Sequence, residues 1–220
     1  MKIQCAYCKR LACLLDAKRR PENCPREIND NILEEAKKIY ESEPQIREMT
    51  KNAAIVEASG YREWPRLKDT IEFAKLMKFQ KIGLACCVGL LKETEEVAKI
   101  LENYGFDIYS IMCKTGSVPK DLHEVPKEFQ MTSQTGYMIG YVACNPVAQA
   151  LLLNEYGTDF NIIIGLCVGH DAVFTKYSKA PVTTLIAKDR ANSHNPVGVL
   201  NNYYWGKYFI KDAAEQKSKK

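Results

Sequence analysis

Between Glu27 and Glu41 the apolar side chains Ile28, Ile32, Leu33, Ala36, Ile39 and Tyr40 recur at spacings of three and four. That period lays them along one stripe of an α-helix. Pro44 interrupts the pattern, and a second helical stretch runs to about Ser59, where Gly60 stops it. Leu67, Ile71, Ala74 and Met77 continue the helical period over residues 66–79. The texture changes at Lys81. Ile82 to Cys86 is a short continuous apolar run, and Phe106 to Met112, Asn161 to Cys167 and Val182 to Ala187 are similar. Helical patterns separate them: Lys92 to Tyr104, closed by Gly105; Asn145-Pro146 to Glu155; and Asp171 to Ser178. Asn195-Pro196 opens a last helix.

Continuous apolar strands alternating with helices predict parallel strands buried on both faces. The expected fold is α/β: a three-layer doubly wound, mostly parallel sheet, Rossmann-like or flavodoxin-like, over residues 61–212. Residues 1–26 form a separate Cys-rich metal-binding module, 27–60 a helical segment, and 213–220 a flexible tail.

Composition adds two facts. Lys plus Arg is 31 against 27 Asp plus Glu, a net charge of +4, too mild to argue for nucleic acid. The basic pairs and triplets near residues 9–10 and 18–20 read as a solvated face. Cysteine is abundant, at 9 of 220 residues. The N-terminus lacks the apolar stretch of a secretory signal, and no run reaches the roughly 18 residues of a membrane span. The expectation is a cytoplasmic chain whose thiols stay reduced, without a disulfide framework.

The cysteines fall into two groups. Cys5, Cys8, Cys13 and Cys24 have the spacing C-x2-C-x4-C-x10-C. A close C-x2-C pair can chelate one metal, and two further thiolates complete a four-sulfur site of the kind that holds zinc or an iron–sulfur cluster. A module of this size has too little core to fold alone, and a metal would supply the missing free energy. The second group is Cys87, Cys113, Cys144 and Cys167, with Cys86 beside it. Cys86-Cys87, Cys113 and Cys167 end three predicted strands, and Cys144 precedes a helix start. Ligands of an open parallel sheet bind at the carboxyl edge, where helix N-termini also favour thiolate. This group is expected to form a second metal site or a nucleophilic or redox-active thiol site. Adjacent strand residues face opposite sides, so Cys86 and Cys87 cannot both line it.

His170 follows the third strand and His194 the fourth, so each is a candidate ligand or proton carrier. Asn145, Asp171, Lys188 and Asp189 are candidate supporting residues. Lys114-Thr115-Gly116-Ser117 with Lys120 could cradle an anion, but lacks a full P-loop and reads more simply as a turn. No G-x-S-x-G or H-E-x-x-H occurs.

These residues resemble an uncharacterised family, a domain of unknown function found mainly in anaerobic bacteria and archaea, whose members are cysteine-rich. The resemblance rests on the N-terminal cysteines with Cys24-Pro25, on Cys144-Asn145-Pro146, on Gly165-Leu166-Cys167-Val168-Gly169-His170-Asp171, on Lys188-Asp189-Arg190, and on His194-Asn195-Pro196. It implies metal binding and transfers no catalytic residue. Three readings follow. The first is a metalloprotein with a four-cysteine zinc or iron–sulfur site and a second thiol-rich site, suited to electron transfer with a redox partner. The second is an enzyme with a structural zinc cap and a cysteine nucleophile in the cleft. The third is a module that binds a small anion near Lys114, Lys188 or Arg190.

Overall fold

The computed structural model describes residue 3, residues 5–9, 13–14, 20–25, 30–130 and 140–218. The chain divides into two compact units, Met1–Tyr61 and Arg62–Lys220. In the first unit a 3-10 turn covers Cys5–Tyr7, and two helices follow, α1 (Asp30–Ser42) and α2 (Pro44–Gly60). Pro44 occupies the first turn of α2, where its missing N–H costs nothing.

The second unit is the expected α/β fold. Its elements are α3 (Arg66–Leu76), β1 (Lys81–Cys86), α4 (Leu91–Asn103), β2 (Asp107–Met112), α5 (Pro146–Glu155), β3 (Phe160–Ile164), α6 (His170–Tyr177), β4 (Val182–Ile186), α7 (Pro196–Leu200) and α8 (Tyr203–Ser218). The four strands lie in the order β2-β1-β3-β4, and every pairing is parallel. This is the start of a flavodoxin-like winding.

Strand alternation sorts the core into two layers. Ile82, Leu84, Cys86, Ile162 and Ile164 pack with Ile71 and Ala74 of α3 and Val97 and Leu101 of α4. Ala85, Cys87 and Ile163 pack on the other side with Ala150 and Leu153 of α5 and Phe174 of α6. Both sheet faces are therefore covered, which is why residues 82–86 of β1 and 162–164 of β3 read as apolar runs. The expected tail after residue 212 is instead the continuation of α8 to Ser218. Helical spacing there places Lys211 and Glu215 within ion-pair reach.

The α5 side of the sheet contains a fixed polar network. The Asn161 amide donates to Ser178 Oγ at 2.8 Å, and its Oδ1 accepts from Thr158 Oγ1 at 2.8 Å. Gly83 lies directly beneath: a Cβ there would stand 2.0 Å from Asn161 Oδ1 and 2.9 Å from Leu153 Cδ1. Asn161 is fully buried, so it has no free direction in which to yield. Gly83→Ala should therefore destabilise the unit by about 1–3 kcal/mol through overpacking, measured as a drop in the chemical-denaturation midpoint.

Candidate thiol site at the sheet edge

Three backbone hydrogen bonds carry the sheet pattern one step past the strands. Cys87 N donates to Ile164 O at 3.0 Å, Cys113 N to Cys86 O at 2.8 Å, and Asn145 N to Cys113 O at 2.8 Å. Cys86 is paired with Met112, so Cys87 and Cys113 are the next cross-strand neighbours. The segment bearing Cys144 meets the backbone of Cys113 through that third bond. Cys113, Cys87 and Cys167 follow the neighbouring strands β2, β1 and β3, and Cys144 interacts with both Cys113 and Cys167. In order of contact the four thiols form a row, Cys87, Cys113, Cys144 and Cys167, at the carboxyl edge beside the β1–β3 boundary, the switch point of this strand order.

Parity separates the adjacent cysteines. Cys86 packs in the α3–α4 layer, and its thiol contacts Ile111 O at 3.6 Å. Burial raises its pKa. Cys87 faces the α5–α6 layer and joins the row. Its sulfur accepts from Lys188 Nζ at 2.6 Å and from Gly89 N at 3.4 Å, while Cys113 Sγ accepts from Val88 N at 3.4 Å. Arg190 Nη2 lies 3.2 Å from Cys167 Sγ.

The row alternates in protonation. The Cys113 thiol, followed by Lys188, lowers the Cys87 pKa to about 5. Cys113 itself stands between two thiolates, Cys144 foremost, and its pKa is raised. Cys144 is driven well below the usual thiol range by Cys113, then Cys167 and His170. Cys167 is raised by its neighbour Cys144. The same thiolate raises the His170 pKa. Cys87 and Cys144 are thus shifted toward the thiolate and Cys113 and Cys167 toward the thiol, with Lys188, His170 and Arg190 as the nearby cationic groups. Cys87 and Cys113 are buried; Cys144 and Cys167 are half-buried.

Local sequence explains the placements. Asn145 caps α5 by accepting from Ala148 N at 3.0 Å, with Pro146 in the first turn, so Cys144 lies at a helix N-terminus. Gly165 has φ +66°, and a Cβ there would meet Leu90 Cδ1 at 1.9 Å. Glycine is needed for the chain to turn from β3 into the segment with Cys167. Asp171 accepts from Gly169 N at 3.0 Å and Ala172 N at 2.8 Å, which ties the start of α6 and so fixes His170. Asp189 and His194 brace the loop after β4: Asp189 N donates to His194 Nδ1 at 3.0 Å, and Asn192 N to Asp189 Oδ1 at 3.0 Å. They hold the loop that carries Lys188 and Arg190.

Two polar groups were not singled out from the sequence as site residues. Arg190 appeared there only as a possible anion contact. Gln149 is fully buried, and its amide donates to Cys86 O at 3.2 Å and Ile111 O at 2.6 Å. A glutamine flanked by Ala148 and Ala150 inside an apolar helix was the available signal. Its Oε1, like Nδ1 of His170, is buried without a partner among the described residues. The suggested anion cradle is a turn. Thr115 bonds Met112 O, Lys114 donates to Val142 O, and Lys120 to Phe129 and Gln130 carbonyls.

The N-terminal four are placed differently. Cys8 N donates to Cys5 O at 3.0 Å, the tight turn a chelating C-x2-C pair needs. Cys5 and Cys13 are exposed, Cys8 half-buried and Cys24 buried. Residues 10–12 and 15–19 between them lie outside the described residues. Among the described residues no group of three or more His, Cys, Asp or Glu side chains is arranged to hold a metal ion.

Residues 24–185 match the family described as "Protein of unknown function (DUF1847)". The chain belongs to that family. The matched span contains Cys24 and all five cysteines of the α/β unit. The chain is also 40% identical over 215 residues to the "Uncharacterized protein MJ0455" of Methanocaldococcus jannaschii, covering 98% of this chain and 100% of that protein. No helix among the described residues is long and apolar enough to cross a membrane.

Lys188 gives the site a direct test. Cys87 is a thiolate above about pH 5 and a thiol below it. Lys188→Met removes one of the groups that favour the thiolate and should move that transition upward by about one to two pH units, since one unit corresponds to about 1.4 kcal/mol. Ultraviolet thiolate absorbance of the reduced protein, followed from pH 4 to 9, reads the shift.

Proposed function

We propose that this chain is a cysteine-dependent enzyme of a reducing, cytoplasmic compartment, with Cys144 as its working sulfur and a metal-stapled N-terminal module. The observation that carries the reading is the environment of Cys144. This half-buried cysteine lies at the N-terminus of α5, and Cys113, Cys167 and His170 all draw its pKa down. Cys87 is equally a thiolate but is buried, so a substrate reaches Cys144 more readily. A thiolate attacks soft electrophiles, and an adjacent imidazolium can protonate the group that leaves. His170 fills that place, and its Nδ1 has no partner among the described residues. Lys188 and Arg190 make the surroundings suited to an anionic substrate.

In the N-terminal module, Cys5, Cys8, Cys13 and Cys24 would hold zinc or an iron–sulfur cluster. Four thiolates suit either, and the Cys5–Cys8 turn supports the pair that would chelate first. A bound metal there supplies folding free energy to a short module.

Alkylation under mildly acidic conditions tests the working sulfur. At about pH 5.5 an ordinary thiol is ionised to only about 0.1%, so a stabilised thiolate reacts selectively. Iodoacetamide followed by peptide mapping should label Cys144 before the other thiols of the α/β unit. His170→Gln should slow that labelling at least tenfold at pH 5.5 and far less at about pH 9, where ordinary thiols also ionise. Slow, equal labelling of every cysteine would overturn the reading, as would zinc or iron held by Cys87, Cys113, Cys144 and Cys167. Elemental analysis of anaerobically purified protein should find metal that is lost in the Cys5→Ser/Cys8→Ser double variant while the α/β thiols keep their reactivity.

A further inference from the structure

The working sulfur has a neighbour placed to bond with it. Asn145 N donates to Cys113 O at 2.8 Å. That bond ties the backbone just after Cys144 to that of Cys113, and the two thiols interact directly, each shifting the other's pKa. Both side chains enter the same α5–α6 layer, where Cys144 packs against the cluster that contains Cys113. Cys167 is a poorer partner, because its sulfur is directed to Arg190. Cys87 is held by Lys188 and has no direct hydrogen bond to Cys144 among its interactions.

We propose that Cys113 and Cys144 form a dithiol–disulfide couple that accepts two electrons from a dithiol substrate. This rests on the reading of Cys144 as the working sulfur and adds the reaction class. In the oxidised form a substrate thiolate attacks Cys144 Sγ, the half-buried sulfur of the pair. The Cys113–Cys144 bond breaks, and Cys113 leaves and takes a proton. The second substrate thiolate then attacks the substrate sulfur of the mixed disulfide on Cys144. That step releases the substrate as a disulfide and Cys144 as the thiolate that its neighbours stabilise. Of the two substrate protons, one goes to Cys113 and the other to His170, which gives the thiol, thiolate and imidazolium of the reduced site. Two sulfurs of the substrate are oxidised and two of the protein reduced. A low-molecular-weight disulfide returns the couple to the oxidised form by the same exchange in reverse.

The direction follows from the surroundings. Every group that stabilises the Cys144 thiolate stabilises the reduced pair, and a stabilised reduced form makes a disulfide oxidising. A low-pKa thiol is also the better leaving group, which favours the step that releases Cys144 from the mixed disulfide.

The full-length protein equilibrated in glutathione buffers, acid-quenched, alkylated and mapped provides the test. The expected result is a Cys113–Cys144 disulfide that appears only in oxidising mixtures and is removed rapidly by dithiothreitol as the dithiol probe. His170→Gln should shift the equilibrium at least tenfold toward the disulfide. Cys113→Ser should stop at a glutathione adduct on Cys144. A disulfide between Cys87 and Cys113, or between Cys144 and Cys167, would overturn the couple. So would an absence of any disulfide in glutathione disulfide while Cys144 still alkylates at about pH 5.5; in that case the working sulfur stands and the exchange reaction fails. Loss of the selective alkylation itself removes both. The wild-type mapping needs no variant to fold.

Discussion

Lateral hydrogen bonding past the ends of the strands determines where the chemistry of this protein lies. A parallel sheet fixes its register through evenly spaced bonds, and here the pattern continues for one more residue on each of three backbones. Ile164 O receives Cys87 N, Cys86 O receives Cys113 N, and Cys113 O receives Asn145 N. Each bond aligns the next sulfur with the last. A slip of one residue would turn Cys87 to the α3–α4 side and dissolve the row. The arrangement of the thiols is therefore a property of strand pairing, not of the loops alone.

Placing several thiolates together is costly unless charge is balanced. The site meets this in two ways. Neighbouring thiols in the row shift in opposite directions, Cys87 and Cys144 down and Cys113 and Cys167 up. Cationic groups approach from outside it: Lys188 and Arg190 from the loop after β4, and His170 from the start of α6. Lys188 and Arg190 are two residues apart on one short loop, and the Asp189–His194 bonds between and beyond them hold that loop in shape. His194 belongs to this scaffolding, with its Nδ1 accepting from the backbone.

The sheet and its helices were legible because burial on both faces leaves a plain record: uninterrupted apolar runs such as Ile162-Ile163-Ile164, closed by glycine turns. The carboxyl-edge placement of the cysteines followed from the same runs. Which of Cys86 and Cys87 enters the site was not legible, because both follow the same strand and only the register with Met112 decides it. Nor did the sequence separate Cys144 from the other thiols, since its distinction is the company of Cys113, Cys167 and His170, drawn from three distant segments. Arg190 and Gln149 were missed as site residues for a related reason. A guanidinium in a loop and an amide in a helix reveal a role only when the partner is known. A lysine-rich end resembles a tail, and the i,i+4 pair of Lys211 and Glu215, which fits the helix through Ser218, carries little weight in the sequence alone.

β2 is an outer strand of the sheet, and outer strands present unpaired backbone groups that can recruit another chain. Past the carboxyl end of β2, Asn145 N takes up the Cys113 carbonyl. Nearby, Pro119 and Val142 form an isolated antiparallel bridge. The bond that sets a thiol beside its neighbour therefore also leaves one fewer backbone acceptor at that end of the sheet open to another chain.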